Sequence, residues 1–220
     1  MSAYSLEQFQ LAVTQLGGGR ADDLHAKLVA AWSQRPPGYH VLQHLDEGLV
    51  LVARWGAPRL SPVDLAILVL AWWFHDAIYD THSSMNEEMS AVLAELELAS
   101  VGIPLQHCAR VAQLVRATDH RTPVAPGDLV TDLLLDIDLA ILGAPAERFN
   151  EYESQVATEY CWVAPDAYAE GRAKVLAHFR ALAFAEPPTL YRTEAGRTLL
   201  AQARINLAQG ATDDQHPRTV

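Results

Sequence analysis

The sequence predicts an all-α, single-domain helical bundle. Apolar residues recur at helical spacing along nearly the whole chain, and no segment shows the alternating pattern of a half-buried strand. The periodic segments are separated by short breaks rich in Gly and Pro, with no repeats and no low-complexity linker. At 220 residues the chain has the length of one good-sized domain with a substantial core. The expected domain covers 1–210, and ATDDQHPRTV, 211–220, reads as a frayed tail.

The elements follow from their boundary signals. Ser5 with Gln8 forms a capping pattern that opens a first helix, stopped near Gly17-Gly18-Gly19. A second runs from Asp22 to Ser33 and ends at Arg35-Pro36-Pro37-Gly38; His40 to Arg54 reads as a third. Ser61-Pro62-Val63-Asp64 combines a capping serine, proline at the first helical position and an early acid, so a fourth helix starts there and is expected to end near Tyr79. Asn86 to Val101, Pro104 to Thr118 and Asp128 to Leu142 come next, punctuated by Gly102, the turn-rich RTPVAPG and Gly143. Pro145 to Val163, Pro165 to Ala185 and Glu194 to Gln209 complete the set.

Composition excludes several function classes. Acidic residues outnumber basic ones 27 to 16, for a net charge of −11, and no Lys/Arg cluster offers a surface for a nucleic-acid polymer. The longest apolar run is too short to span a membrane, and MSAYSLEQFQ lacks the pattern of a signal peptide. A cytoplasmic protein is therefore expected. Cys108 and Cys161 have no CxxC spacing and read as two buried thiols rather than a bridge.

The chemistry concentrates in a few places. In AWWFHDAIYD an apolar run unbroken from Leu65 to Phe74 ends in His75 and Asp76. Burying such groups without partners costs several kcal/mol. A histidine favoured by a helix C-terminus is the plain alternative for His75. In RPPGYHVLQHL, His40 and His44 lie four apart and share a helix face, as metal-binding pairs and ordinary surface pairs both do. In LLLDIDLAILG, Asp136 and Asp138 point about 200° apart, so both cannot face one site. Asp136 lines up with Asp128 and Asp132 in a stripe expected to meet water, whereas Asp138 lies among Leu134, Leu135, Ile141 and Leu142. The expected buried acid is Asp138. Inward-pointing His and Asp on separate helices are how bundles commonly build metal sites.

The order His44, His75-Asp76, Asp138 resembles the H…HD…D signature of the HD-domain metal-dependent phosphohydrolases. The closer resemblance is to a bacterial subfamily of HD phosphohydrolases, through YHVLQH, WFHDAIYD, NEEMSA, LLLDIDLAILG, EY and YAEGR, across roughly Arg35 to Arg172. It implies an HD-type bundle with its metal-site motifs within 39–172. It places a divalent metal on His44, His75, Asp76 and Asp138, one ion rather than two. His and carboxylate donors without thiolate suit Mn, Fe, Co, Ni or Zn, with Mg also compatible.

The implied activity is hydrolysis of a phosphate ester of a small phosphorylated metabolite, a nucleotide first among them. Neither a nucleic-acid polymer nor a membrane is an expected partner, and a homodimer is left open. In the stringent-response nucleotide hydrolases the motif continues HD-x-x-E-D; here those positions are Tyr79 and Asp80, which puts that specific activity in doubt. Asp80 is the candidate base, or else a residue opening a turn. His120 is the next candidate base after Asp80, or an extra ligand or phosphate contact, or else a loop histidine. His40 is assigned to substrate contact, as is Arg172, whose fork matches phosphate oxygens but which could instead pair with Glu159. His25, His82, His107, His178 and His216 read as surface or satisfied core histidines. Two other functions stay open: a di-iron HD-fold oxygenase, and a nucleotide-binding HD module without turnover.

Overall fold

The computed structural model describes residues 5–209, and every regular element among them is helical. The expected tail at 211–220, with His216, lies outside the described residues. Internal contacts divide the chain into two compact units, Met1–Asp138 and Leu139–Val220.

The first unit is built around one helix. It contains α1 (Leu6–Gln15), α2 (Asp22–Ser33), α3 (Leu42–Leu51), α4 (Pro62–Phe74), α5 (Asn86–Ser100), α6 (Leu105–Ala117) and α7 (Leu129–Asp138). Helix α4 packs against α1, α3, α5, α6 and α7, and buries Ala66, Ile67, Leu68, Leu70, Ala71, Trp72, Trp73 and Phe74. That surrounds it on every side and accounts for the unbroken apolar run, since a helix buried all round has no polar face to display. Its start is the expected one: the Ser61 hydroxyl accepts from the Asp64 N–H at 3.1 Å, and Pro62 occupies the first position. Two indoles lock it to its neighbours. Trp72 Nε1 donates to the Leu45 carbonyl at 2.9 Å, and Trp32 Nε1 donates to the Trp73 carbonyl at 3.0 Å.

Several boundaries differ from the sequence expectation. The α2 limits coincide with it. The third helix converts into a π-helical turn at Val52–Gly56. Helix α4 stops at Phe74, short of Tyr79, because the next residues spend their backbone groups on other partners: Ser90 of α5 takes both the N–H and the carbonyl of Ile78, at 3.0 and 3.2 Å. Helix α7 ends at Asp138 and tightens into a 3₁₀ turn at Leu139–Gly143.

The second unit holds that turn with α8 (Ala146–Glu159), α9 (Pro165–Phe184), α10 (Glu194–Arg197) and α11 (Leu200–Gln209). The last two were expected as one helix; Thr198 caps α10 and bonds its hydroxyl back to the Ala195 carbonyl at 2.6 Å, interrupting the run. Buried Asn206 donates to the Leu142 and Ala144 carbonyls at 2.9 and 2.8 Å, satisfying the end of the 3₁₀ turn.

Both cysteines are free thiols. Cys108 is buried as expected; Cys161 is exposed, because it falls in the turn after α8 rather than on a packed face. Among the described residues no helix is long and apolar enough to cross a membrane.

Helices α3 and α4 approach closely at Gly48. A methyl group added at Gly48 would stand 1.9 Å from the Trp72 ring, which is itself held by Leu45. Gly48→Ala should therefore lower stability by about 1–3 kcal/mol, the usual range for overpacking, read as a lower urea midpoint at unchanged slope. A midpoint equal to wild type would mean that α3 and α4 can separate without cost.

Candidate metal centre

Every residue of the centre belongs to the first unit, and each arrives by a different route. His44 lies in the first turn of α3, His75 caps α4, Asp76 follows it, and Asp138 is the last residue of α7. His44 and His75 face each other with Nε2 atoms 3.1 Å apart. Asp76 Oδ2 lies 3.2 Å from His75 Nε2 and 3.9 Å from His44 Nε2, while Asp138 Oδ1 lies 3.7 Å from both. One donor each from His44, His75 and Asp76 falls within 4.8 Å of the others, so this cluster could hold a metal ion.

The spacing suits that use. Ligands about 2.1 Å from a shared ion stand roughly 3.0 Å apart at right angles and about 3.4 Å apart at tetrahedral angles. The donor set, imidazole with carboxylate and no thiolate, fits Mn, Fe, Co, Ni, Zn or Mg. The ring of His75 is also set correctly: its Nδ1 lies 2.7 Å from the Trp72 carbonyl, so Nδ1 carries the proton and Nε2 is turned to the centre. The Trp72 indole stacks on that ring at 4.1 Å, with Trp32 on another side at 5.5 Å.

Electrostatics point the same way. Burial, reinforced by the adjacent His75, pulls His44 down to about 3, so its ring is neutral. Burial also favours the neutral form of His75, but the Asp76 carboxylate outweighs it and holds this imidazole above its ordinary value. For Asp76 burial acts upward, yet His75 more than reverses it and keeps the carboxyl well below the usual range. Asp138 behaves likewise, held down chiefly by His120 against its burial.

His120 sits in the turn after α6 and places Nε2 2.9 Å from Asp138 Oδ2; that carboxylate raises its pKa against the partial desolvation of its ring. His40 stacks on Tyr79 at 4.0 Å with Nε2 4.0 Å from Asp76 Oδ2, at the rim of the cluster. Asp80 is elsewhere engaged: its side chain is 60% exposed, and its carboxylate accepts the His82 backbone N–H at 2.9 Å and meets His82 Nδ1 at 3.1 Å. That is the geometry of a residue opening a turn. Arg172 belongs to the second unit, where its guanidinium pairs with Glu153 rather than Glu159 and lies over the Tyr152 ring at 4.9 Å.

One expectation about the acids needs correction. Asp136 does not meet water: it is fully buried and Asp132 is nearly so, whereas the Asp138 side chain keeps 17% of its surface. Helix α7 buries every residue from Val130 to Ile137 between its neighbours, so no stripe on it is wet. Asp132 is satisfied by the Gly127 N–H at 2.8 Å. Asp138 faces the two histidines because it ends the helix, not because it is the more buried acid.

Other site residues had no reading in the sequence, or only a family motif. Asn86 accepts from the Asp80 N–H at 3.1 Å and donates to the Asp80 carbonyl at 2.9 Å, so with Ser90 it clasps the chain that follows the HD pair. The available signal was two polar residues four apart on an otherwise apolar inner face of α5. Arg35, read only as part of a helix stop, donates to the carbonyls of His40, Asp76 and Ala77. Glu87 is raised, first by burial and then by Asp119, and lies 3.7 Å from Arg121.

Comparison against protein-family models, curated proteins and solved structures found no match in any of the three.

Two outcomes follow for metal binding. An ion binding only the folded state stabilises it by about 2.7 kcal/mol at a hundredfold excess over Kd; chelation should therefore lower the melting temperature, and one of the metals above should restore it. An unchanged melting temperature after complete metal removal would count against the centre. The pH dependence has a definite sign as well. An ion must displace the Nε2 proton of His75, whose pKa is raised, so affinity should fall as pH drops through that value, by about tenfold per pH unit for one displaced proton. Titrations at a series of pH values check this, and a flat profile contradicts it.

Proposed function

We propose that the chain is a metal-dependent phosphohydrolase of the HD type, acting on a small phosphorylated metabolite, with nucleotides the first class to test. One observation supports this most: the donors of His44, His75 and Asp76 lie 3.1–3.9 Å from one another, with Asp138 Oδ1 3.7 Å from both histidines, in the H…HD…D order. A divalent ion held there supplies Lewis acidity and makes water acidic enough to attack a phosphate ester near neutral pH.

The chain's own groups divide the remaining work. His44, kept neutral by burial, and His75, turned by the Trp72 carbonyl, provide nitrogen donors. Asp76 and Asp138 stay ionised and provide oxygen donors. His120, with its raised pKa, can hold a proton beside Asp138 and deliver it to the departing oxygen, or offset charge on the phosphate. The Asp80 carboxylate, lowered chiefly by the His82 backbone N–H, is a weak proton acceptor and is committed to its turn. Proton handling is therefore assigned to His120 ahead of Asp80. His40, at the rim, is the candidate substrate contact.

The di-iron oxygenase reading has one observation in its favour, His120 beside Asp138, where a second ion would need a ligand. Metal stoichiometry and the visible absorption of anaerobically prepared protein separate the two: one ion per chain without an iron band favours hydrolysis.

Metal-free protein supplied in turn with Mn, Co, Ni, Mg, Fe and Zn should hydrolyse at least one member of a panel of phosphorylated metabolites. Binding of nucleotides without any turnover would favour the non-catalytic module. With a substrate in hand, His120→Gln should keep its metal and lose roughly 10²–10⁴ in turnover, the usual worth of general acid–base help. Asp80→Asn should stay within a small factor of wild type. The reverse ranking would return the proton-handling role to Asp80.

A further inference from the structure

Arg35 occupies a position that the proposed mechanism leaves unused. It follows α2, and its guanidinium donates to three main-chain carbonyls at once: His40 at 2.6 Å, Ala77 at 3.1 Å, and Asp76. The plane of the group lies over the Trp32 ring at 4.6 Å and near the Tyr79 ring at 5.7 Å. Trp32 also neighbours both metal-site histidines, and Tyr79 stacks on His40. Arg35 thus ties the segment leading into α3, which carries His40 and His44, to the turn leaving α4, which carries Asp76.

The chemistry of this contact is particular. Asp76 and Ala77 lie just past the C-terminus of α4, where their carbonyls are outside the helical ladder and a cation meets the negative end of the helix dipole. Arginine alone offers donors in a rigid planar fork wide enough to reach several acceptors together. A lysine could supply the charge but not the fork. From this we infer that Arg35 is the positioning residue of the metal centre, fixing Asp76 against His40 and His44 by holding their backbones. This role presupposes the metal centre proposed above.

Two effects of Arg35 on an ion oppose each other, which makes the role measurable. A positive charge near the cluster repels an incoming cation, so charge removal alone would raise affinity. Loss of an outer support for a ligand typically lowers affinity by about 10–100-fold. If Arg35 positions, both Arg35→Lys, which keeps the charge, and Arg35→Gln, which removes it, should bind Co²⁺ and Zn²⁺ more weakly by about that factor. The Co²⁺ visible spectrum of each variant should also change shape from that of wild type, which general loss of stability would not cause in the folded fraction.

The experiment is Co²⁺ titration of the full chain, wild type first, followed by both variants, with circular dichroism confirming the helical content of each. If wild type binds no ion, the metal centre and this inference fall together. If wild type binds but Arg35→Lys matches it in affinity and spectrum while Arg35→Gln binds more tightly, Arg35 acts only through charge and the positioning role is overturned. Where one variant does not fold, the other decides by the same spectrum and affinity.

Discussion

A helix surrounded on every face can bring polar groups to a reaction only at its ends, and α4 is such a helix. Its C-terminus is the place where the core of the first unit must accommodate a histidine, an aspartate and several carbonyls that the helix cannot satisfy itself. The helix itself and the elements around it answer those needs in turn. Trp72 offers its carbonyl to His75, Arg35 collects the carbonyls of Asp76 and Ala77, and Ser90 takes up Ile78. Among the described residues no buried side-chain nitrogen or oxygen is left without a hydrogen-bond partner. The polar centre is therefore a consequence of how the apolar helix ends.

The electrostatic pattern reflects the same crowding. Two imidazoles within 3.1 Å cannot both be cationic in a low-dielectric site, and burial resolves the conflict by keeping His44 neutral while the carboxylates favour charge on His75. An arriving cation would substitute for that proton, so the cluster is prepared for positive charge whichever form carries it. The acidic balance of the whole chain adds a general attraction for small cations.

Much of the fold was legible because helices announce their ends. Ser61-Pro62, the Gly17-Gly18-Gly19 stop and the Asn86 start are local chemistry, and the structure follows them. The ends defined by distant partners were not legible: nothing within Leu65–Tyr79 says that Ser90 will claim Ile78. The site divides along the same line. His75 and Asp76 stood out because they break an apolar run, and His44 through its spacing from His40. Asp138 was named for a burial that Asp136 in fact has, since a wheel drawn for one helix cannot register that α7 is enclosed on all sides. Arg35 gave no signal because its partners are carbonyls, which every residue possesses.

Backbone grips of this kind constrain how such a site drifts over evolutionary time. Asn86, Ser90 and Arg35 all grip main-chain atoms of the stretch from Asp76 to Asp80. Grips of that kind do not read which side chain sits at Ala77 or Ile78, provided it fits. They do read distance along the chain, because one residue more or fewer would move every carbonyl out of reach. Selection on this stretch should therefore be permissive about identity and strict about length, so that substitutions accumulate there while insertions and deletions are confined to the exposed residues just beyond Asp80.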